Sequence, residues 1–167
     1  MDYQTWLPVY ERILDDFGYD PAADRAARDR LASLTDAFDE SRLGAIRGAS
    51  VAVAGAGPSL TDESSLALAA DADIVVAASV AAKRLQTAGV DVDLMVTDLD
   101  KSPDTARKLT HEGIPVAVHA HGDNVPAVEE WVPQFDSDHV LPTTQAEPRD
   151  PVRNYGGFTD GDRAAFL

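Results

Sequence analysis

The sequence predicts an α/β fold: a three-layer, Rossmann-like arrangement around a mostly parallel sheet, with an N-terminal helical cap. Three observations predict it. From Ser50 onward, short runs rich in β-branched residues and alanine alternate with helical stretches, and such alternation means right-handed crossovers and a sheet covered on both faces. Each run gives way to glycine-rich or polar residues, as expected where parallel strands all end on one edge. Before Ser50 the texture is helical.

Taken in order, Tyr3 to about Phe17 sets Trp6, Leu7, Tyr10, Ile13, Leu14 and Phe17 at helical spacing, and Gly18 stops the pattern. The aromatic stripe reads as core packing. Asp20-Pro21 is a cap followed by proline at the first helical position, opening a second helix through DRAARDRLASL. Residues 1–48 are therefore read as a helical segment packing on a Rossmann-like domain of residues 49–167. Strands are expected at Val51-Ala52-Val53-Ala54, Ile74-Val75-Val76-Ala77, Leu94-Met95-Val96, Val116-Ala117-Val118 and Val140-Leu141. Helices are expected between them, at Asp62 to Ala70, Ser79 to Thr87, Ser102 to His111 and Pro126 to Phe135. YGGFTDGDRAAFL then reads as a glycine-rich loop and the first turn of a helix; it stops at Leu167 without a capping residue, so a truncated C-terminus is expected.

At 167 residues the chain is one domain's worth of protein. Its formal charge of −15 comes mostly from aspartate spread along the whole chain, with only three lysines, Lys83, Lys101 and Lys108. That pattern resembles salt adaptation, a hydrated acidic surface of the kind found in halophilic archaea. It also argues against nucleic acid as a partner, because no basic stripe exists to displace counterions from phosphates. Without cysteine, disulfides and thiolate metal sites are excluded. The N-terminus lacks a basic start followed by an apolar core, and no run of about 18 apolar residues occurs; a cytoplasmic protein with no membrane partner is expected. Homo-oligomerisation stays open.

The strand ends carry the chemistry. After the first run comes Gly55-Ala56-Gly57-Pro58-Ser59, whose glycines let the backbone approach a phosphate, although Pro58 removes one amide donor and a plain tight turn is the competing reading. Ser79 follows the second run. After the third, Asp98 and Asp100 stand two apart in VTDLDK, so that in an extended chain both carboxylates project to one side. Magnesium prefers carboxylate and phosphate oxygens and takes one or two carboxylates from a protein, so the pair suits a metal-phosphate substrate; solvated loop aspartates are the bland alternative. After the fourth run, HAHGDN offers two readings: zinc on His119 and His121, which lacks an evident third ligand, or Asp123 joining Asp98 and Asp100 around magnesium. Asp123 or Asn124 also suits a helix cap. Thr143, Thr144 and Gln145 follow the fifth run. In FTDGDR a cap at Asp160 or Asp162 accounts for most of the pattern, with Arg163 among the few cations available to phosphates.

GAGPSL, VTDLD, HAHGDN, TTQ and GGFTDGDRA, in this order and spacing, resemble the archaeal 6-hydroxymethyl-7,8-dihydropterin pyrophosphokinase family, whose catalytic domain is similar to that of thiamine pyrophosphokinases. The resemblance covers about Ser50 to Leu167. It implies a magnesium-dependent enzyme that moves the β,γ-pyrophosphate of ATP to a reduced pterin and releases AMP, on the route to folate- or methanopterin-type cofactors. It also implies that Asp98 and Asp100 hold magnesium and the triphosphate, with Asp123 as the next acidic position and Mg2+ and ATP as cofactor and co-substrate. His119 and His121 would contact substrate or act in proton transfer. Gly55, Gly57, Pro58 and Ser59 would approach a phosphate or the nucleotide, alongside Ser79, and Asn124, Thr143, Thr144 and Gln145 would read polar edges of the ligand. Lys101 stands where many relatives carry a small residue. A branch of the same broad family is tied to flagellin glycosylation, so two rivals stand beside the pyrophosphokinase: a sugar-nucleotide-dependent glycosyltransferase-like enzyme and a non-catalytic nucleotide-binding module.

Overall fold

The computed structural model describes residues 1–167. Helix α1 (Tyr3–Phe17) starts at Asp2, whose carboxylate accepts from the Thr5 N–H, and ends at Gly18 in the left-handed conformation. Helix α2 (Pro21–Ala32) starts with the Asp20 side chain accepting from Ala22 N–H. A 3-10 segment, Glu40–Ile46, leads into the sheet. There follow β1 (Val51–Ala54), α3 (Glu63–Ala70), β2 (Ile74–Ala78), α4 (Ala81–Thr87), β3 (Leu94–Thr97), α5 (Pro103–His111), β4 (Val116–Ala120), α6 (Val125–Trp131), β5 (Val140–Thr144) and α7 (Asp160–Phe166). The expected elements are all there. The sixth helix stops short of Phe135: its last stretch, Val132–Gln134, is 3-10, because Pro133 has no N–H to continue the α-helical ladder.

All five strands are parallel, and their order across the sheet is β1-β2-β3-β4-β5, the order of the chain. Side chains alternate between two cores along each strand. Val75, Ala77, Met95, Val116, Val118 and Val140 join one core with Leu85 of α4, Leu109 of α5 and Val128 of α6. Val76, Leu94, Val96, Ala117 and Leu141 point the other way, into a smaller core with Phe38 and Ala164 of α7. The crossover helices thus share one face, and the layer on the other is built from the segment before β1 together with α7, which lies across β1, β2 and β3. β3, β4 and β5 are buried along their whole length, which explains their mostly apolar character, with Thr97, His119, Thr143 and Thr144 confined to their carboxyl ends. Pro142 sits in β5 because β5 is an edge strand. Beyond it, Arg153 runs alongside, its N–H donating to Pro142 O and its carbonyl accepting from Thr144 N–H.

The N-terminal segment belongs to this body. α2 packs on α6 and on β4 and β5, and its Ala27 and Leu31 enter the larger core. Of its expected stripe, α1 contributes Trp6, Tyr10 and Leu14 to a third apolar cluster with Leu7 and Ile13 partly buried against it, while Phe17, at the helix end, is exposed and not part of the core. No helix is long and apolar enough to cross a membrane.

Candidate active site

The carboxyl ends of β3, β4 and β5 meet α7 and the α1–α2 junction around a cavity of about 220 Å³. Its floor is the stretch after β3. Asp98 and Asp100 come together there through a turn and not through extended alternation. Leu99 is left-handed at φ 67°, a conformation that costs a non-glycine residue about 1–2 kcal/mol. Burial of its side chain and donation of its N–H to Thr97 Oγ1 at 3.0 Å offset that cost. The Asp100 N–H then donates to Asp98 Oδ1 at 3.2 Å.

A third carboxylate completes the cluster, and it comes from α7. Oxygens of Asp98, Asp100 and Asp160 lie within 4.8 Å of one another. The helix-capping role anticipated in FTDGDR falls to Thr159 and Asp162, which form a reciprocal capping box, and this leaves Asp160 free to face the floor. Asp123, expected as the third acidic ligand, stands outside the cluster: it is exposed on the wall of the cavity, because the loop after β4 turns at Gly122 toward α2. That turn is fixed by Gly122 N–H donating to Asp24 Oδ1 at 2.8 Å. Only glycine fits there, since a Cβ would sit 2.7 Å from Ala23 Cβ.

Crowding of the carboxylates shows in their protonation. Burial acts first to raise Asp98, but the His121 ring, contacts from Asp100 and the Arg163 charge outweigh it and hold Asp98 below the usual carboxylate range. Burial and the Asp98 charge push Asp160 up to about 6 against the pull of Arg163, and burial and Asp98 likewise raise Asp100. Arg163 is the cation held against them, its Nη1 2.9 Å from Asp160 Oδ1 and 3.9 Å from Asp98 Oδ2. Three mutually repelling carboxylates with only oxygen donors suit a hard divalent cation, which would neutralise them. No histidine belongs to the cluster, so nothing in the geometry favours zinc.

The histidines take separate positions. His121 Nδ1 accepts from Asp123 N–H at 3.4 Å, which turns Nε2 toward Asp98 Oδ2, 3.6 Å away. His119 is buried on the α7 face of the sheet. Thr143 Oγ1 donates to Val118 O, so at 3.1 Å it must accept from His119 Nδ1–H; His119 Nε2 is thereby left as an unpartnered acceptor. Burial, together with the nearby Arg163 charge, keeps the His119 ring neutral far below its ordinary range.

The other expected residues divide into those at the cavity and those away from it. Gln145 lines the cavity, donating through Nε2 to Asp24 Oδ2 at 2.8 Å and accepting at Oε1 from Arg163 Nη2 at 3.3 Å. Asn124 is a buried staple: Nδ2 donates to Asp98 O and His119 O, both at 2.7 Å, and Oδ1 accepts from His121 N–H at 3.0 Å. Thr143 and Thr144 spend their hydroxyls on β4 carbonyls. Gly55, Gly57, Pro58 and Ser59 stand at the end of β1, two strands from Asp98 and outside the cavity. Ser79, after β2, is left-handed at φ 51° with a buried, unpartnered hydroxyl.

Sequence reasoning passed over Asp24, a buried carboxylate that also accepts from Tyr10 Oη at 2.7 Å. The available signal was its place on α2: Asp24, Ala27, Arg28 and Leu31 form the buried stripe of that helix, and a charge on such a stripe needs a partner.

With this geometry in place, comparison with known proteins gives it a family. A family model described as "6-hydroxymethylpterin diphosphokinase MptE-like" matches residues 27–167. The chain belongs to the MptE-like family. Similar proteins of Methanothermobacter thermautotrophicus (39% identity over 175 residues) and Pyrococcus furiosus (39% over 171 residues) are both named 6-hydroxymethyl-7,8-dihydropterin pyrophosphokinase; each alignment covers all of this chain and 72% of the relative. A protein of the same name from Methanocaldococcus jannaschii is 29% identical over 179 residues, covering all of this chain and 74% of its own length. The family model takes in α2 from Ala27 onward, the sheet and α7, while Tyr19, Asp20, Ala23 and Asp24 of the cavity wall precede it.

Proposed function

We propose that this protein is a magnesium-dependent pyrophosphokinase that transfers the β,γ-pyrophosphoryl unit of ATP to the hydroxymethyl group of 6-hydroxymethyl-7,8-dihydropterin, on a route to folate- or methanopterin-type cofactors. The observation that carries this is the cluster of Asp98, Asp100 and Asp160 at the carboxyl edge of the sheet, in a chain whose relatives bear that name. Bound Mg2+ would neutralise the triphosphate and align it for in-line attack.

The acceptor hydroxyl oxygen forms the new bond to the β-phosphorus, the bond from that phosphorus to the α,β-bridging oxygen breaks, AMP departs with the bridging oxygen, and the hydroxyl proton is released. Positioning and electrostatics supply most of the acceleration. Asp98, Asp100 and Asp160 hold the metal. Arg163, kept in place by Asp160 and Gln145, offers a fixed positive charge to the phosphates. His121, whose Nε2 faces Asp98 Oδ2, would contact the incoming hydroxyl or take part in its proton transfer. The triphosphate would extend from the cluster past Ser79 toward Gly57 and Ser59.

Product analysis tests the reaction. AMP and pyrophosphorylated pterin in equal amounts are expected from ATP, the dihydropterin and Mg2+. Release of ADP in place of AMP, turnover only with a nucleotide sugar, or ATP binding without turnover would each defeat the proposal. Asp98→Asn is expected to lower kcat/KM at least about 100-fold; full magnesium-dependent activity in that variant would show that the metal lies elsewhere.

A further inference from the structure

The mouth of the cavity carries more aromatic surface than the fold uses. Phe17 ends α1, Tyr19 follows it and Phe158 precedes α7; their rings lie 5.6 Å (Phe17–Tyr19), 6.1 Å (Phe17–Phe158) and 6.2 Å (Tyr19–Phe158) apart. Phe17 continues the stripe of Trp6, Tyr10 and Leu14 but overhangs the core and is 64% exposed; Tyr19 is 44% exposed. The helix cap builds the pair: Gly18 turns left-handed, its N–H and that of Tyr19 both return to Leu14 O, and the Tyr19 ring folds back on Phe17 at an interplanar angle of 9°. Tyr19 and Phe158 line the same cavity as Asp98 and Arg163. An exposed aromatic face beside polar groups marks a binding surface more often than a packing defect.

We propose that Tyr19 and Phe158 stack the planar ring of the acceptor, with Asp123 pairing its polar edge. This rests on the pyrophosphokinase reading above. At about 220 Å³ the cavity lies below the roughly 300–1,000 Å³ usual for drug-sized ligands, a size that suits one ring system with a short substituent. Its acidic wall selects which ring. Asp20 is engaged in capping α2, and Asp24 accepts from Tyr10, Gln145 and Gly122. The Asp123 carboxylate, at the exposed side of the wall, accepts no hydrogen bond from the chain; the only bond made by the residue's polar groups to a side chain runs from its backbone N–H to His121. A free carboxylate pairs through both oxygens with an amino group adjacent to a ring N–H, the arrangement on an aminopyrimidinone. Adenine places a bare ring nitrogen beside its amino group and cannot make that pair. Asp123, outside the metal cluster, thereby becomes a specificity residue for the acceptor.

The test uses the full chain and reads binding and turnover separately. Fluorescence titration with 6-hydroxymethyl-7,8-dihydropterin in the presence of Mg2+ gives acceptor affinity, and steady-state kinetics give the KM for acceptor and for ATP. Tyr19→Ala and Phe158→Ala are each expected to weaken acceptor binding about 10- to 100-fold while ATP KM and the Mg2+ half-saturation stay within about twofold. Tyr19→Phe should restore binding, and Tyr19→Leu, which keeps apolar bulk without a π face, should not. Asp123→Asn is expected to raise acceptor KM about tenfold with Mg2+ dependence unchanged. Wild-type acceptor affinity in the folded alanine variants, a rise in ATP KM in place of acceptor KM, or a shifted Mg2+ half-saturation in Asp123→Asn would overturn the assignment. Wild-type protein that binds the dihydropterin through these residues without transferring pyrophosphate would defeat the reaction and leave the subsite standing; failure to bind it at all would defeat the subsite.

Discussion

Ionised Asp160 costs the metal-free fold free energy, since burial and the Asp98 charge push its carboxyl up to about 6 from an ordinary 3.8. Asp160→Asn removes that charge, and the metal-free variant is expected to be more stable than wild type at pH 7 by about 1–3 kcal/mol, while losing the rise in melting temperature that Mg2+ gives the parent. His119 works in the opposite direction along the pH axis. Its folded pKa is depressed, so below 6.5 the unfolded chain takes up a proton that the fold refuses, and stability falls by about 1.4 kcal/mol for each pH unit. For Asp160 the folded state holds the extra proton between 3.8 and about 6, so its contribution grows as pH falls through that window. Denaturant titrations on metal-free protein should therefore diverge: His119→Gln flattens the loss of stability between about pH 6.5 and 5, and Asp160→Asn steepens the loss below about pH 6. Parallel curves would show that neither group titrates as its surroundings dictate.

Among the elements, α7 carries the heaviest functional duty for its length, supplying Asp160 and Arg163 from seven residues. Gly157 sets its entry: at φ 91° a Cβ would lie 2.6 Å from Arg163 N and 2.7 Å from Arg163 Cα. Gly157→Ala is expected to cost about 2–4 kcal/mol by displacing the helix, and to weaken Mg2+ binding more than it disturbs the sheet, as far- and near-ultraviolet circular dichroism with and without metal would reveal. The strands were legible in the sequence because β3, β4 and β5 are buried on both faces and read as apolar runs, and Asp98 and Asp100 were legible because they follow one of those runs directly. Asp160 was not: it lies sixty positions downstream of Asp100, and beside Thr159 and Asp162 it reads as one more helix cap. The distance of GAGPS from the cluster was not legible either, since strand order, which sequence periodicity does not encode, sets β1 two strands from Asp98.

Over the whole molecule, a formal charge of −15 acts against compaction, and screening should relieve it. The melting temperature is expected to rise by about 5 °C or more between about 0.1 M and 2 M potassium chloride; an unchanged or falling value would argue against adaptation to salt. The strand order has a consequence of another kind. Because each strand docks on the one made just before it, a chain emerging from the ribosome can assemble its sheet progressively and finish it at Thr144, with Asp98 and Asp100 already at its edge. Their third carboxylate and their arginine arrive only with α7. A nascent chain arrested before Asp160 is therefore expected to be structured yet blind to magnesium, and competence to come only once α7 has been made.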